Sequence, residues 1–243
     1  MPNKTFHYRI YLTKKQEATL TSWLALLCET YNAALQERRD AYMLKVKQHP
    51  NYYDEERRKH LTTQHALNFS HQSAELPACR GVREDLAEVP SQVLQDVVKR
   101  VDLAFEGFFR RVAEGQKPGY PRFKSRFRYD SMTFKQYGNS FALEVSAQKN
   151  RGTLMLAKLG QVKMVMHRPI QGTPKTAVVK RTPTGKWFVA IACEDVPKTE
   201  LPESDKEIGI DVGLKTFAYL SDGTSHSRIP ASSVRKRRSW PRR

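Results

Sequence analysis

The spacing of apolar residues changes its period near residue 115, and this change most constrains the fold. Between residues 13 and 115, apolar side chains recur every three or four positions, as on the buried face of an α-helix. After residue 130 they occur in short runs separated by glycine-containing turns, which indicates β-strands. Residues 6–12 alternate apolar with polar side chains and predict one earlier strand. The sequence therefore predicts a helical block inserted after the first strand of a small β-barrel or sandwich.

Turn and cap residues refine this prediction. Thr13 and Gln16 have the spacing of a capping box, Pro77 and Gly81 indicate a loop, and Gly115 is well placed to end a helix. The predicted helices cover residues 13–46, 55–71, 83–87 and 91–115. The predicted later strands cover residues 132–134, 140–145, 154–156, 162–166, 176–181 and 187–193. A polar linker over residues 197–205 leads into a last apolar segment.

Composition limits the class of protein and of partner. The chain has 42 Lys and Arg against 25 Asp and Glu, a formal net charge of +17. Such a surplus indicates a polyanionic partner such as nucleic acid, and a basic surface kept for solubility is the alternative. Neither a signal peptide nor an apolar run of membrane-spanning length is present, so we expect no membrane partner and a cytoplasmic, nucleoid-associated location in a prokaryote. Three widely spaced cysteines suit a reducing compartment and form no zinc motif.

Cations and rings alternate over residues 117–129, which we call the basic–aromatic segment. In an extended chain, one face would offer cations to phosphates while rings packed under bases or into a core. The alternative is a basic edge strand whose rings are only core residues. The predicted nucleic-acid-binding residues are Tyr120, Arg122, Phe123, Lys124, Arg126 and Arg128.

A single carboxylate interrupts the apolar segment at residues 208–212. Burying Asp211 is costly unless a cation or hydrogen-bond donors meet it, so Asp211 is a candidate metal ligand. The alternative is an Asp that caps a hairpin turn.

Four runs, taken in order, resemble the signature of the TnpB (OrfB) proteins of insertion sequences. They are Tyr-Asn-Ala-Ala-Leu at 31–35, the stretch 108–124 that ends Gly-Tyr-Pro-Arg-Phe-Lys, Leu-Gly-Gln-Val-Lys at 159–163, and Ile-Gly-Ile-Asp-Val-Gly-Leu-Lys at 208–215. The similarity extends from about residue 5 to residue 223, which is nearly the whole chain.

The resemblance implies an α+β protein of three parts. A helical recognition domain, residues 13–115, would be inserted in a β-barrel wedge domain formed by residues 1–12 and 116–200. Residues 205–243 would be the amino-terminal fragment of an RNase H-like RuvC nuclease domain.

The resemblance also implies a function. Members of this family are transposon-encoded, RNA-guided DNA endonucleases, formerly described as transposases and related to type V CRISPR effectors. The expected partners are a guide RNA and a target DNA. The expected cofactor is Mg²⁺, with Asp211 as the catalytic and metal-binding carboxylate.

The carboxyl-terminal part departs from the family pattern. After Asp211 the only acid is Asp222, so the later RuvC carboxylates and the family's four-cysteine zinc ribbon are missing from this chain. The genetic code allows residues 236–243 to be read, one base shifted, as a family-like helix. A truncated or frameshifted gene is the resulting hypothesis.

Three functions compete at this point. The chain is either part of an RNA-guided endonuclease with an incomplete nuclease, or a nuclease-dead RNA-guided DNA-binding protein or repressor, or a basic RNA-binding barrel without a guide. The ordered motifs disfavour the third.

Overall fold

The computed structural model describes residues 3–64, 66–145, 150–197, 209–211, 218–221 and 226–227. The chain divides into two compact units, residues 1–197 and 198–243. Among the described residues, no helix has the length and apolar character that a bilayer crossing requires.

The first unit contains a seven-stranded antiparallel sheet. Its strands are β1 (Lys4–Tyr11), β2 (Ser131–Lys135), β3 (Phe141–Val145), β4 (Arg151–Leu156), β5 (Gly160–Val165), β6 (Thr173–Arg181) and β7 (Trp187–Glu194). The order across the sheet is β2-β6-β7-β1-β5-β4-β3. β1 lies in the middle, where Phe6 is opposite Ile191 of β7 and Ile10 is opposite Met164 of β5. The prediction that the amino-terminal strand joins those after residue 130 is confirmed.

Chain connectivity requires the sheet to curl. Its two edge strands, β2 and β3, are consecutive in the chain and are separated only by residues 136–140. The six steps from Lys135 to Phe141 span at most about 22 Å when fully extended. The edges of a flat seven-stranded sheet would lie about 29 Å apart. The connection is also folded, because Ser140 donates its backbone N–H to the carbonyl of Gln136. The sheet is therefore a curled half-barrel rather than a flat layer.

All five α-helices of the described residues lie between β1 and β2. They are α1 (Lys14–Tyr42), α2 (Glu55–Gln64), α3 (Phe69–Val82), α4 (Glu84–Glu88) and α5 (Ser91–Ala113). A π-helical turn, Met43–Lys47, extends α1, and a 3-10 turn, Pro50–Tyr53, precedes α2. The insertion of the helical block after the first strand is as predicted.

Both predicted helix ends are present. The Thr13 side chain accepts from the backbone N–H of Gln16, and the Gln16 side chain accepts from the Thr13 N–H, which completes a capping box. At the end of α5, Gln116 donates to the carbonyl of Arg111, and Gly115 has a φ of 70°. Glycine tolerates this left-handed conformation, so the chain can leave the helix there.

The predicted helix over residues 55–71 and the predicted loop at Pro77 were wrong. The helix is divided into α2 and α3, because the Asn68 side chain accepts from the N–H groups of Ser70 and His71 and starts a new helix. Pro77 lies inside α3. Packing outweighs the hydrogen bond that proline removes, since the side chain of Gln72 is buried and donates to the carbonyl of Ala34 on α1.

Helices and sheet share one hydrophobic core. Its members include Phe6, Tyr8 and Ile10 of β1 together with the buried faces of α1 and α5. Gln16 of α1 donates to the carbonyl of Gln161 on β5 at 2.7 Å, which places the start of α1 on the sheet. The helical block therefore holds a defined position against the curled sheet.

A largely buried ion pair joins α1 to α5. Arg38 Nη1 lies 3.1 Å from Asp102 Oδ1, and their side chains are 7% and 16% exposed. Lys99 Nζ lies 2.7 Å from the other Asp102 oxygen. Burial alone would raise the pKa of Asp102, yet hydrogen bonds from Lys99 and Arg38 together hold that pKa below its usual value. The folded protein therefore favours the charged carboxylate.

We expect Asp102→Asn to lower the free energy of unfolding at neutral pH by about 2 to 3 kcal/mol. This is at or below the cost of breaking a fully buried pair, because Asp102 keeps some exposure. A lowered folded-state pKa stabilises the protein above the unfolded pKa of about 3.9, and that stability is lost as pH falls through the folded value. Urea unfolding at several pH values should therefore show the wild type approaching the variant in acid. The control, Glu106→Gln, removes the more exposed partner of Lys99 and should cost less than about 1 kcal/mol.

The second unit, taken by itself, contains a small antiparallel sheet. β8 (Ile210–Asp211), β9 (Ala218–Leu220) and β10 (His226–Ser227) lie in the order β10-β9-β8. The backbone of Asp211 is opposite that of Tyr219. Residues 212–217, where a hairpin turn capped by Asp211 would lie, are outside the described residues.

Candidate nucleic-acid interface

The basic–aromatic segment is an irregular stretch between α5 and β2. Residues 116–125 have no regular secondary structure, and residues 126–128 form a turn, so the stretch is not a strand. Residues 122–128 are all exposed. Phe127 is 93% exposed and Phe123 is 45% exposed, whereas Tyr129 is 6% exposed. Because two of its rings face solvent, the segment does not match a basic edge strand whose rings only fill a core.

Asn32 of α1 holds the segment by its backbone. Its Nδ2 donates to the carbonyl of Lys124 at 2.9 Å, and its Oδ1 accepts from the Lys124 N–H at 2.8 Å. Cys28, one turn earlier, also donates to this carbonyl, at 3.3 Å. The Asn32 amide thus binds both backbone groups of Lys124, as an adjacent β-strand would. The Lys124 side chain remains free to point its charge elsewhere, and its Nζ lies 5.9 Å from the centre of the Tyr31 ring.

Tyr120 fixes the first part of the segment to α5. Its ring meets Phe105 edge-on at 5.6 Å and Phe108 at 5.4 Å. The Arg39 guanidinium lies 5.9 Å from the Tyr120 ring and 5.1 Å from the Phe123 ring. Burial raises the pKa of Tyr120, although Arg39 acts in the opposite direction, so the phenol stays neutral. The two rings are held partly exposed by a cation of α1.

Tyr129 fixes the other end. Burial raises its pKa to about 12, so this phenol also stays neutral. The Arg100 guanidinium lies 5.6 Å from the ring and donates to Asp96, to the Ser131 carbonyl and to Thr133 Oγ1. Arg100 is therefore a structural cation that joins α5 to β2.

A groove runs between α5 and the segment. Two adjoining cavities of about 400 and 350 Å³ share Tyr31, Leu103, Ala104 and Lys124 in their walls. Arg128 lines the first cavity, and Arg111 and Arg122 line the second. Among the residues that the structure describes, no carboxylate lies within salt-bridge distance of these cations. Asp130 also lines the first cavity, and its carboxylate lies 3.4 Å from Lys180 Nζ. A groove with several cations that lack a carboxylate partner suits a phosphate backbone.

The structure brings most predicted binding residues to one surface. Arg122, Lys124 and Arg128 line the groove, and Tyr120 joins it to a neighbouring cavity. Phe123 and Arg126 are exposed beside it. Sequence reasoning missed Asn32, although the Tyr-Asn pair at 31–32 was already part of the family-like run. Binding of nucleic acid by these residues stays a prediction.

We expect Asn32→Leu to release the segment while the core remains folded. Losing both hydrogen bonds to Lys124 should cost about 1 to 3 kcal/mol of local stability, because each bond contributes about 1 kcal/mol. Trypsin should then cut after Arg122, Lys124 or Arg126 several times faster than in the wild type. The control, Gln36→Ala, lies one turn along α1 and should leave the cutting rate unchanged. Equal rates for wild type and Asn32→Leu would show that the clamp does not order the segment.

Asp211 belongs to the second unit of the chain, and the groove belongs to the first. The structure describes its backbone in β8, and its side chain lies outside the described residues. Among the described residues, no group of three or more His, Cys, Asp or Glu is placed to hold a metal ion. The chain offers one further acid after Asp211, which is Asp222. These donors do not fit a site for two Mg²⁺ ions, which needs several carboxylates. The catalytic and metal-binding role of Asp211 stays a prediction.

Comparison with protein families gives a match at the amino terminus. Residues 1–45 match the family model HTH_OrfB_IS605, described as a helix-turn-helix domain. In the structure, the described part of this region contains β1 and α1 followed by the start of the π-helical turn, so these residues do not form two helices joined by a turn.

Two curated proteins are similar over a larger part of the chain. Both carry the name "Putative RNA-guided DNA endonuclease", and the second is called InsQ. The Streptomyces pristinaespiralis protein is 30% identical over 225 residues, which cover 90% of this chain and 48% of the relative. The Escherichia coli K12 protein is 31% identical over 151 residues, which cover 62% of this chain and 34% of the relative. The alignments thus span about half of one relative and about a third of the other.

Proposed function

Since this chain belongs to the TnpB (OrfB) family of insertion-sequence proteins, we propose that it binds a guide RNA and DNA. In this proposal the curled sheet is the wedge domain, the inserted helices are the recognition domain, and residues 205–243 belong to a RuvC domain. The guide would read target sequence by base pairing, while the protein holds the backbones.

The observation that carries the proposal is the exposed basic–aromatic segment. Its cations have no carboxylate partner among the described residues, and Phe127 is 93% exposed. An exposed ring beside cations without carboxylate partners offers a face on which an unpaired base can stack. The net charge of +17 adds a long-range attraction for polyanions.

The proposal also includes the state of the nuclease. Asp211 is the single carboxylate of the family site that we recognise in this chain, and Mg²⁺ is the cofactor that the family implies. Because Asp222 is the one acid that follows Asp211 in these 243 residues, we assign them nucleic-acid binding and route no chemical step through a metal. A guided DNA-binding protein that occupies or represses its target is the second candidate, and the groove, with cations unpaired among the described residues, is the observation that favours it.

RNA that copurifies with the protein tests the guide. We expect the purified 243-residue chain to retain one predominant RNA that maps to its own locus. The variant with Arg122, Lys124 and Arg126 changed to alanine should retain much less of it. A bound pool with the composition of total cellular RNA, in equal yield from both proteins, would overturn the proposal.

A further inference from the structure

An aromatic cavity adjoins the groove on the helical side. It has a volume of about 520 Å³ and lies between α1, α2 and α5. Aromatic rings form the largest group in its wall, namely Tyr42, Phe105, Phe108, Phe109 and Tyr120. Charged side chains of both signs also line it, namely Arg38, Arg58, Asp102 and Glu106. Phe109 is 60% exposed although its ring stacks on Phe105 at 6.3 Å. The wall therefore offers ring faces that no side chain of the described residues fully covers.

A buried cation with a free donor lines the same cavity. Arg38 is 93% buried as a side chain, with Nε donating to Gln72 at 2.8 Å and Nη1 donating to Asp102 at 3.1 Å. Its Nη2 is buried and has no hydrogen-bond partner among the described residues. A buried donor without a hydrogen-bond partner is costly. The guanidinium lies 5.5 Å from the centre of the Phe105 ring, which is a weaker partner than an acceptor. An acceptor that entered the cavity beside this ring would satisfy the donor.

The cavity is a neighbour of the candidate interface. Tyr120 lines both the aromatic cavity and the groove that contains Arg122 and Lys124. Arg58 also lines the cavity, where it can meet a phosphate. A strand whose backbone followed the groove would therefore pass close to Tyr120 and to this cavity.

We propose that this cavity takes one unpaired nucleobase of the bound strand, stacked on Phe109 and accepting a hydrogen bond from Arg38 Nη2. Bases carry ring nitrogen and carbonyl acceptors at their edges, which an arginine can reach in the plane of the base. Unpaired bases stack on aromatic side chains whatever their sequence. This inference rests on the proposed function, because it requires a bound strand.

A cycle between protein and base tests the proposal. The probes are a labelled oligoadenylate of about 15 nucleotides and the same backbone with abasic central residues. Removing the bases should weaken binding to the wild type by at least about 5-fold, the smallest loss expected for one stacked base. With Phe109→Leu that loss should shrink at least about fivefold, since leucine keeps the bulk and removes the ring. RNA and DNA versions of both probes show whether the effect depends on the sugar.

Val112→Ala is the matched control. Val112 is 49% exposed on the same helix and lies outside the cavity wall. It should keep the full loss on base removal, and all three proteins should melt at similar temperatures. An equal loss for wild type and Phe109→Leu, with salt-dependent binding retained, would overturn the cavity assignment and leave the proposed function standing. No binding of either probe by the wild type would overturn both.

Discussion

Replacing Arg122, Lys124 and Arg126 together by alanine is expected to weaken single-stranded nucleic-acid binding at 0.1 M salt by about two orders of magnitude. Each cation that neutralises a phosphate releases a counterion, at about 0.7 to 0.9 units of slope in log affinity against log salt. The slope should therefore flatten by about two to three units. The fold should persist, because Asn32 holds Lys124 by its backbone, which alanine retains.

The control for this prediction removes the same charge elsewhere. Lys14, Lys15 and Lys186 are exposed and lie outside the groove. Their triple alanine variant lowers the net charge equally and should change the slope far less. If the groove variant kept its slope and instead melted at a lower temperature, the segment would serve fold stability and not binding.

The second prediction concerns cleavage. We expect the 243-residue chain, supplied with its guide RNA, target DNA and Mg²⁺, to bind the target and leave it uncut. Hydrolysis with two metal ions requires carboxylates that hold both cations, and Mg²⁺ requires near-octahedral oxygen ligation. Asp211 and Asp222 are the only acids of this chain after residue 208. With most of the ligands missing, the rate enhancement should be lost.

Gel analysis of labelled target DNA measures this outcome, and two variants give it a control. Asp211→Asn and Asp222→Asn should bind with wild-type affinity and give the same absence of product. Guided cleavage by the wild type that disappears in Asp211→Asn would prove the prediction wrong. It would mean that carboxylates at other positions complete the metal site with Asp211.

Part of the architecture was predictable because it depends on local pattern. The alternation around Phe6 and the three- to four-residue spacing around Val97 each specify one buried face, and both faces are buried in the core. The capping box at Thr13 and the left-handed Gly115 also act within a few residues. Burial of these faces requires a shared core, so the insertion of helices after β1 followed from the order of the patterns.

Other features depend on contacts between distant residues. Pro77 remains within α3, where Gln72 and Leu76 are buried and Gln72 donates to the Ala34 carbonyl of α1. A pattern with a proline favours a loop because the packing that compensates for it is absent from the local sequence. The unpartnered Nη2 of Arg38 was likewise not predictable from local sequence. The side chain is held by Gln72 and Asp102, which are 34 and 64 residues away.

The sequence by itself determined the period of each element, the insertion of helices after the first strand, the family and the surplus of positive charge. Only the tertiary structure decided which cations have no carboxylate partner. It ties Arg100 to Asp96 and β2, and it leaves Arg122 and Lys124 in an open groove. It also turns Phe127 to solvent and Tyr129 into the core, although both rings have the same pattern. The physical reason is that a ring's exposure depends on what packs against it, and the neighbours here come from α1 and α5, far along the chain.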